Sequence, residues 1–315
     1  YSSMAKIISK YKPDYFYHLA AQSNVGSSFQ QPLYTFDITG KAVLNLLEVI
    51  KDISPKTRFY NAASSEMFGS NYSVRTREYI FDVGDVFLVN NYNISNNYVQ
   101  DQIKDAIVEP DSYSLPYQDE DTPMRPMSPY GVAKLAGFHL TRLYRESYGL
   151  WAVSGILFNH EGIYRSLDFV TRKITNYVSR LLIAEKYGKK IDKLKLGNMD
   201  SYRDWSDSSD MVRGMQLILE ADKPDDYVLG SGETYTVRQF ADKAFRYAGL
   251  DYENYIEIDP ALVRPAEVDY LRADPSKAKK ALGWKPLISF QQLIERMIDH
   301  DIERSDAKYR AYGDI

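Results

Sequence analysis

A tyrosine and a lysine four residues apart are the pair in this sequence best suited to acid–base chemistry. They lie in the segment Ser128-Pro129-Tyr130-Gly131-Val132-Ala133-Lys134. In a helix that begins here, Tyr130 and Lys134 project from the same face, one above the other. A lysine ammonium near a phenol favours the phenolate, so Tyr130 can act as a base below its free pKa of about 10. That suits removal of a hydroxyl proton while a hydride leaves the same carbon. The alternative is a chance surface pair, since the chain has 27 tyrosines.

A hydroxyl and a carboxylate lie two residues apart in a second segment, Ala63-Ser64-Ser65-Glu66-Met67-Phe68-Gly69. This segment follows an apolar run, at the point where we expect a strand to end. Ligands and catalytic groups gather at the carboxyl edge of a doubly wound sheet. Ser64 and Glu66 are therefore positioned to reach one ligand together. The alternative is a Ser/Glu cap at the start of a helix.

Short apolar runs alternate with longer amphipathic stretches along the first half of the chain. Residues 15–21, 58–63 and 151–158 are the apolar runs, and they predict strands. Residues 43–50 and about 130–148 have helical spacing. Near-continuous apolar strands separated by helices predict an α/β fold with a doubly wound parallel sheet.

The second half of the chain has a looser pattern. It predicts helices at about 170–186, 210–219 and 236–248, and a short strand at 227–229. Residues 70–127 are polar and rich in Tyr and Asn, with one strand-like patch at 79–89. Connections of that length inside a domain are usually lids, interaction elements or disordered inserts.

Composition excludes several classes of protein. The chain has 315 residues, is 44% hydrophobic and carries 39 basic against 43 acidic residues, a formal charge of −4. We therefore expect no nucleic-acid partner and, without an apolar run of about 18 residues, no membrane span. Zero cysteines and four scattered histidines predict no metal site. The first residues have no signal or transit character, so we expect a cytoplasmic protein.

One expected feature of a nucleotide-binding α/β domain is missing from the sequence. Such a domain normally opens with a strand, a glycine-rich turn and a helix whose N-terminus holds a pyrophosphate. No G-x-G-x-x-G or G-x-x-G-x-x-G occurs here. We therefore expect the chain to begin after that unit, which leaves the sheet N-terminally incomplete.

Three motifs together resemble the extended short-chain dehydrogenase/reductases that modify nucleotide sugars. They are Leu19-Ala20-Ala21-Gln22-Ser23, Ser64-Ser65-Glu66, and Tyr130 with Lys134. Later motifs narrow the resemblance to the GDP-mannose 4,6-dehydratase family. These motifs lie at residues 157–161, 169–175, 197–205, 264–268, 274–278 and 282–286. The resemblance covers nearly the whole chain except about residues 70–120, where this sequence carries an insertion.

The resemblance implies two domains. Residues 1–158 would form an NADP-binding, Rossmann-like domain without its first strand–helix unit. Residues 159–315 would mainly form a smaller α/β domain that binds the nucleotide sugar, and about 207–248 would return to the first domain. The resemblance also implies a homo-oligomer, either a dimer or a tetramer.

The resemblance implies a lyase that converts GDP-mannose to GDP-4-keto-6-deoxymannose with internal hydride recycling through NADP. Tyr130 would take the proton of the sugar 4-hydroxyl, with Ser64 hydrogen-bonded near that hydroxyl. Lys134 would hold the nicotinamide ribose and lower the pKa of Tyr130. Glu66 would remove the C5 proton and assist loss of the C6 hydroxyl as water. Two alternatives stay open. One is another nucleotide-sugar dehydratase or epimerase of this family, and the other is a non-catalytic derivative that lacks the cofactor loop.

The resemblance also assigns binding residues. The cofactor residues would be Leu19, Ala20, Ala21, Ser23, Tyr34, Lys134, His160 and Arg165. The residues that contact GDP-mannose or a similar nucleotide sugar would be Asn159, Lys173, Leu196, Gly197, Arg203, Arg264 and Glu267. Three alternatives stay open: a buried strand at residues 19–21, a structural role for His160, and an ion pair between Arg203 and Asp204.

Overall fold

A four-stranded parallel sheet forms the centre of the part that the computed structural model describes, residues 2–74, 115–263 and 267–313. The strands, in chain order, are β1 (Tyr15–His18), β2 (Arg58–Ser64), β3 (Ala152–Leu157), β4 (Asn159–Glu161), β5 (Leu194–Leu196), β6 (Tyr202–Arg203), β7 (Trp205–Asp207), β8 (Tyr227–Leu229), β9 (Tyr235–Thr236) and β10 (Ile256–Ile258). The central sheet has the order β1-β2-β3-β8, and each pair in it is parallel.

Helices connect these strands and cover the sheet. They are α1 (Ser2–Tyr11), α2 (Val25–Gln30), α3 (Pro32–Phe36), α4 (Ala42–Ile53), α5 (Pro129–Tyr148), α6 (Val170–Lys186), α7 (Ser208–Glu220), α8 (Val237–Tyr247), α9 (Ser276–Leu282) and α10 (Phe290–Tyr312). Most predicted elements are confirmed within one or two residues, except that β1 ends at His18 instead of Ala21. The strand-like patch predicted at 79–89 lies outside the described residues.

Neighbouring residues of the central strands face opposite sides of the sheet, as the pleat requires. Phe59 of β2 is buried in a cluster with side chains of α1, α4 and α5, including Ile8 and Ile50. Tyr60, the next residue, is buried in a second cluster with α7 and Trp284. Both faces of the sheet are therefore covered by helices, and the predicted doubly wound parallel architecture is confirmed.

A third hydrophobic cluster lies in the second half of the chain. Side chains of α6, α8 and α10 pack there around Trp205, which stacks on Phe290 with ring centroids 5.8 Å apart. The short pairs β5–β10, β4–β7 and β6–β9 lie outside the central sheet. Within residues 207–248, β8 is a strand of the central sheet and α7 packs on that sheet, whereas α8 packs with α6 and α10. The proposed division into two domains stays a prediction.

The two ends of the undescribed stretch 75–114 meet each other. Ser73 and Tyr117 exchange backbone hydrogen bonds of 2.8 and 2.9 Å. The side-chain amide of Asn71 donates to the Pro123 carbonyl over 3.0 Å. The segments on either side of the undescribed stretch are therefore bonded to each other, close to the end of β2.

None of the helices in the described ranges is both long and apolar enough to span a membrane.

Trp284 is the largest fully buried side chain of the described residues, and it fastens the C-terminal segment to α7. Its indole Nε1 donates to the Asp210 carbonyl over 2.9 Å. Gly214 permits this approach, because a Cβ there would lie 2.9 Å from that nitrogen.

We predict that Trp284→Ala lowers the free energy of unfolding by about 3–5 kcal/mol, since the cavity adds to the lost burial. Denaturant titration measures this change, and Tyr312→Ala, at an exposed tyrosine, is the control. A loss below about 1 kcal/mol would contradict the packing described here.

Candidate active site

Ser64, the last residue of β2, connects the end of that strand to the turn that carries Glu66. Its hydroxyl accepts a hydrogen bond of 3.3 Å from the backbone N–H of Glu66 and so caps the short 3-10 turn Ser65–Met67. The capping interpretation of this segment is therefore correct. The same side chain also lies close enough to the phenol of Tyr130 to lower the pKa of that phenol. Ser64 can therefore serve both as a cap for this turn and as a residue of the candidate site.

The first turn of α5 brings Tyr130 to this edge of the sheet. The Ser128 hydroxyl caps the helix by accepting from the Gly131 N–H over 3.0 Å, and Pro129 provides its first turn. Gly131 lies so close to the Glu66 turn that a Cβ there would be 2.7 Å from the Glu66 carbonyl oxygen. A glycine is therefore required for the close contact that assembles Ser64, Glu66 and Tyr130.

Lys134 is buried one helical turn after Tyr130. Its ammonium donates to the Ala62 carbonyl of β2 over 2.6 Å and lies 5.8 Å from the centre of the Tyr130 ring. Burial lowers the pKa of Lys134 to about 8. Burial raises the pKa of Tyr130 to about 12 and outweighs the nearby Ser64 side chain, which lowers it. That Lys134 lowers this pKa stays a prediction, and in the protein alone its ammonium is directed at a backbone carbonyl.

Two histidines lie near the lysine, His18 buried and His160 half-buried. Burial lowers the pKa of His18 to about 4, and the charge of Lys134 adds to that effect. The Nε2 atom of His18 is buried without a hydrogen-bond partner among the described residues. His160 holds Nδ1 at 2.9 Å from the Phe158 carbonyl, and burial lowers its pKa too. Both rings are therefore neutral at neutral pH. Sequence reasoning missed His18, although a histidine in the middle of a predicted apolar strand was a usable signal.

Arg165 carries a positive charge towards the same edge. Its Nε lies 3.0 Å from a carboxylate oxygen of Glu161, and its guanidinium stacks on the Phe169 ring at 3.4 Å from the centroid. The charge of Arg165 favours the ionised form of Tyr130 and the neutral form of His160. The structure thus brings Arg165 and His160 within electrostatic reach of the catalytic candidates.

The remaining cofactor candidates lie beyond the end of β1 and are accessible. Leu19, Ala20 and Ser23 are exposed, and Ala21 is half-buried. The alternative of a buried strand at residues 19–21 is therefore wrong. Tyr34 lies on α3 and is also exposed. These residues offer an open apolar and hydroxyl-bearing surface next to buried His18.

The substrate candidates form a second group. Arg203 is buried on β6, where its Nη1 donates to the Tyr202 carbonyl over 2.8 Å and its Nη2 lies 3.5 Å from a Glu267 carboxylate oxygen. The alternative ion pair with Asp204 is wrong. The Asp204 carboxylate instead accepts hydrogen bonds from Ser231 and two backbone N–H groups, and burial raises its pKa to about 6. The structure therefore brings together Arg203 and Glu267, two residues that the sequence assigned to one ligand.

Other members of this group occupy separate positions. Asn159 begins β4, and its side-chain oxygen is buried without a partner among the described residues. Lys173 is half-buried in the first turn of α6, and Leu196 is buried at the end of β5. Gly197 allows a close approach, since a Cβ there would be 2.7 Å from the Leu262 carbonyl oxygen. Arg264 lies outside the described residues.

Metal-ligating side chains do not cluster in the described ranges, where no three histidines or carboxylates are placed to hold an ion. The groups available for chemistry at the edge of the sheet are hydroxyls, a carboxylate, an ammonium and neutral imidazoles.

Lys134 gives a testable pH dependence of stability. We predict that Lys134→Met stabilises the protein at pH 7, because it removes a buried charge. As the pH rises from about 8 towards the ordinary lysine value of 10.5, the native lysine is neutral when folded and charged when unfolded. The free energy of unfolding of the native chain then rises by up to about 1.4 kcal/mol per pH unit, so the extra stability of the variant shrinks.

Chemical denaturation at pH 7 and pH 9.5 measures this difference. The control is Lys189→Met, at an exposed lysine, which should change stability equally at both values. An advantage of Lys134→Met that stays constant between the two pH values would contradict a buried, charge-destabilised lysine.

Solved structures share this fold. RMD from Pseudomonas aeruginosa, in complex with NADPH, matches 93% of this chain and 83% of its own with a TM-score of 0.70 and 22% identity. A dTDP-glucose 4,6-dehydratase from Streptomyces venezuelae with NAD bound matches 99% of this chain and 77% of its own, with a TM-score of 0.71 and 20% identity. At these identities the likeness establishes the fold.

Sequence relatives are closer. GDP-mannose 4,6 dehydratase 2 from Arabidopsis thaliana is 40% identical over 306 residues, which are 96% of this chain and 69% of the relative. A family model described as GDP-mannose 4,6 dehydratase matches residues 1–80 and 112–297. That match includes the Ser64–Glu66 turn, the helix that carries Tyr130 and Lys134, and all the predicted substrate residues. The chain belongs to the GDP-mannose 4,6-dehydratase family.

Proposed function

We propose that this chain is an NADP-dependent lyase that converts GDP-mannose to GDP-4-keto-6-deoxymannose and water. The observation that carries the proposal is the position of Ser64 and Glu66 directly after β2, with Tyr130 and Lys134 packed against that turn from α5, at the carboxyl edge of a parallel sheet. Family membership supports the choice of reaction and substrate. A cytoplasmic location and assembly into a dimer or tetramer stay predictions.

The residues present fit a nicotinamide cofactor. His18 Nε2 and Asn159 Oδ1 are buried polar atoms without partners in the described chain, and such atoms are costly unless a ligand or water satisfies them. Leu19 and Ala20 provide an exposed apolar surface for a flat ring, and Lys134 provides a donor for a ribose. When bound, NADP would accept a hydride from C4 of the sugar and later return it to C6.

Tyr130 would hold the proton of the sugar 4-hydroxyl. Its phenol lies near the Ser64 side chain, so a hydroxyl placed beside both can pass its proton to the phenolate oxygen. Burial makes the phenolate costly, and the nearby charge of Arg165 offsets part of that cost. Lys134 would stabilise the phenolate of Tyr130 more strongly if its ammonium turned from the Ala62 carbonyl towards the phenol. We therefore expect Lys134 to reorient during the proposed step.

Glu66 would carry the elimination. A ketone at C4 acidifies the hydrogen at C5, so one carboxylate suffices to remove it. The carboxyl group can then protonate the C6 hydroxyl as the C6–O bond breaks, which releases water and leaves a C5–C6 double bond. Hydride addition at C6, with protonation at C5 by the proton that Tyr130 took from the 4-hydroxyl, gives the 4-keto-6-deoxy sugar and restores both side chains. The redox steps cancel, and the net change is loss of water.

Arg203 and Lys173 would bind the diphosphate of the sugar nucleotide. Guanidinium groups bind phosphate oxygens through two parallel N–H donors. Glu267 holds Arg203 by an ion pair of 3.5 Å and also accepts from Asn198 over 3.3 Å, so the guanidinium is oriented in advance. A preset donor loses less side-chain entropy on binding.

We predict that Glu66→Gln lowers kcat by roughly 10²–10⁴-fold, because the amide cannot accept the C5 proton. The assay follows formation of the 4-keto product from GDP-mannose with NADP+, together with incorporation of solvent deuterium at C5. NADP should still raise the melting temperature of the variant, which shows that the fold and the cofactor site are kept.

Glu253→Gln, at an exposed glutamate, is the matched control and should retain full turnover. Native protein that binds NADP but forms no 4-keto product would reject the dehydratase. Native protein that neither binds NADP nor turns over would favour a non-catalytic derivative.

A further inference from the structure

A large cavity lies between α6, α10 and the loop at residues 163–167. Its volume is about 670 Å³. None of the four catalytic candidates lines it, and Arg165 is the one residue that it shares with the predicted cofactor and substrate sets. The cavity therefore meets the predicted active site at Arg165, and its other walls have no part in the proposed dehydratase chemistry.

The walls of this cavity are strongly basic. They include five cationic side chains against one carboxylate, that of Asp301; the cations are Arg165, Arg172, Arg180, Arg304 and Lys308. Arg172 and Arg180 lie two turns apart on one face of α6, and Arg304 and Lys308 lie one turn apart on α10. In a chain with a formal charge of −4, such a concentration of positive charge favours an anionic ligand.

Arg172 is the centre of this charge, and it is only partly satisfied by the protein. The residue is 3% exposed, and its Nη2 lies 2.6 Å from an Asp301 carboxylate oxygen. Its Nε and Nη1 atoms are buried without a hydrogen-bond partner among the described residues. Burial lowers its pKa, and the positive charge of Arg304 adds to that effect. Buried guanidinium donors without acceptors are costly, and a phosphate oxygen is the acceptor that they fit best.

An aromatic and apolar rim accompanies these cations. Tyr164 is 87% exposed, and its ring packs edge-on against His300 with centroids 6.0 Å apart. Leu167 lies on the same loop and is also exposed. Exposed large side chains beside a charged cavity offer a platform on which a flat heterocycle can stack.

We propose that this cavity is a second ligand site, distinct from the active site, that binds a nucleoside diphosphate. The diphosphate would lie against Arg172, Arg304 and Lys308, and the base would stack at Tyr164. The volume exceeds what one phosphate group fills and falls in the usual range of small-molecule pockets, about 300–1,000 Å³. Arg172 precedes Lys173, a proposed substrate residue, so α6 would physically connect the two sites.

GDP is the probe for this site, and equilibrium dialysis with labelled GDP counts the sites per chain. The full chain should bind two GDP molecules. The double variant Arg304→Ala/Lys308→Ala removes two exposed cations and should weaken one of the two sites by at least about tenfold, as expected for lost charge-assisted hydrogen bonds. Lys279→Ala/Lys280→Ala, at two exposed lysines of α9, is the matched control and should keep both sites.

A second variant separates this inference from the proposed function. Arg203→Ala should remove the other GDP site and leave the cavity site intact. If the chain binds no nucleotide at its active site, the native protein should bind one GDP and the cavity double variant none. Equal affinity and stoichiometry in the native chain and the cavity variant would overturn the proposal. Displacement of GDP from the cavity by inorganic phosphate at equal concentration would overturn the assignment to a nucleoside diphosphate.

Discussion

The close contact between the first turn of α5 and the turn after β2 is the constraint on which the whole site depends. Gly131 leaves no room for a side chain against the Glu66 carbonyl, and the Ser128 cap fixes where the helix begins. One turn later, Lys134 donates to the Ala62 carbonyl of the same strand. These contacts bring a hydroxyl, a carboxylate, a phenol and an ammonium close together. The first two groups lie on the turn after β2, the last two lie on α5, and the contacts hold the turn and the helix against each other.

Burial has opposite effects on the groups in that volume. It raises the pKa of Tyr130 to about 12 and lowers those of Lys134 and His18 to about 8 and about 4. Each shift favours the neutral form, as a low-dielectric surrounding requires. A ligand charge placed close to these groups gains more electrostatic stabilisation than it would in water, because each new contact is weakly screened there. The chemistry proposed for Tyr130 depends on that gain.

Local patterns sufficed for the elements and for the catalytic candidates, but not for their partners. The helix at Pro129–Tyr148 and the strands at residues 58–64 and 152–157 follow from apolar periodicity and a Ser-Pro start. The Arg203–Glu267 pair joins residues that are far apart in the chain, and the nearer carboxylate of Asp204 is committed to backbone N–H groups. The direction of the Lys134 ammonium is likewise set by β2. Such choices depend on tertiary packing, which no single segment encodes.

The charges on α6 show how a sequence pattern can conceal a site. Arg172, Asn176 and Arg180 recur at helical spacing, which by itself indicates an ordinary solvated face. Only packing against α10 converts that face into the wall of a cavity, because Arg304 and Lys308 come from the far end of the chain. Asp301 pairs with Arg172 through one nitrogen and leaves the other two donors unused. A purely structural ion pair would be expected to satisfy them, so the geometry favours a wall that is built to receive an anion.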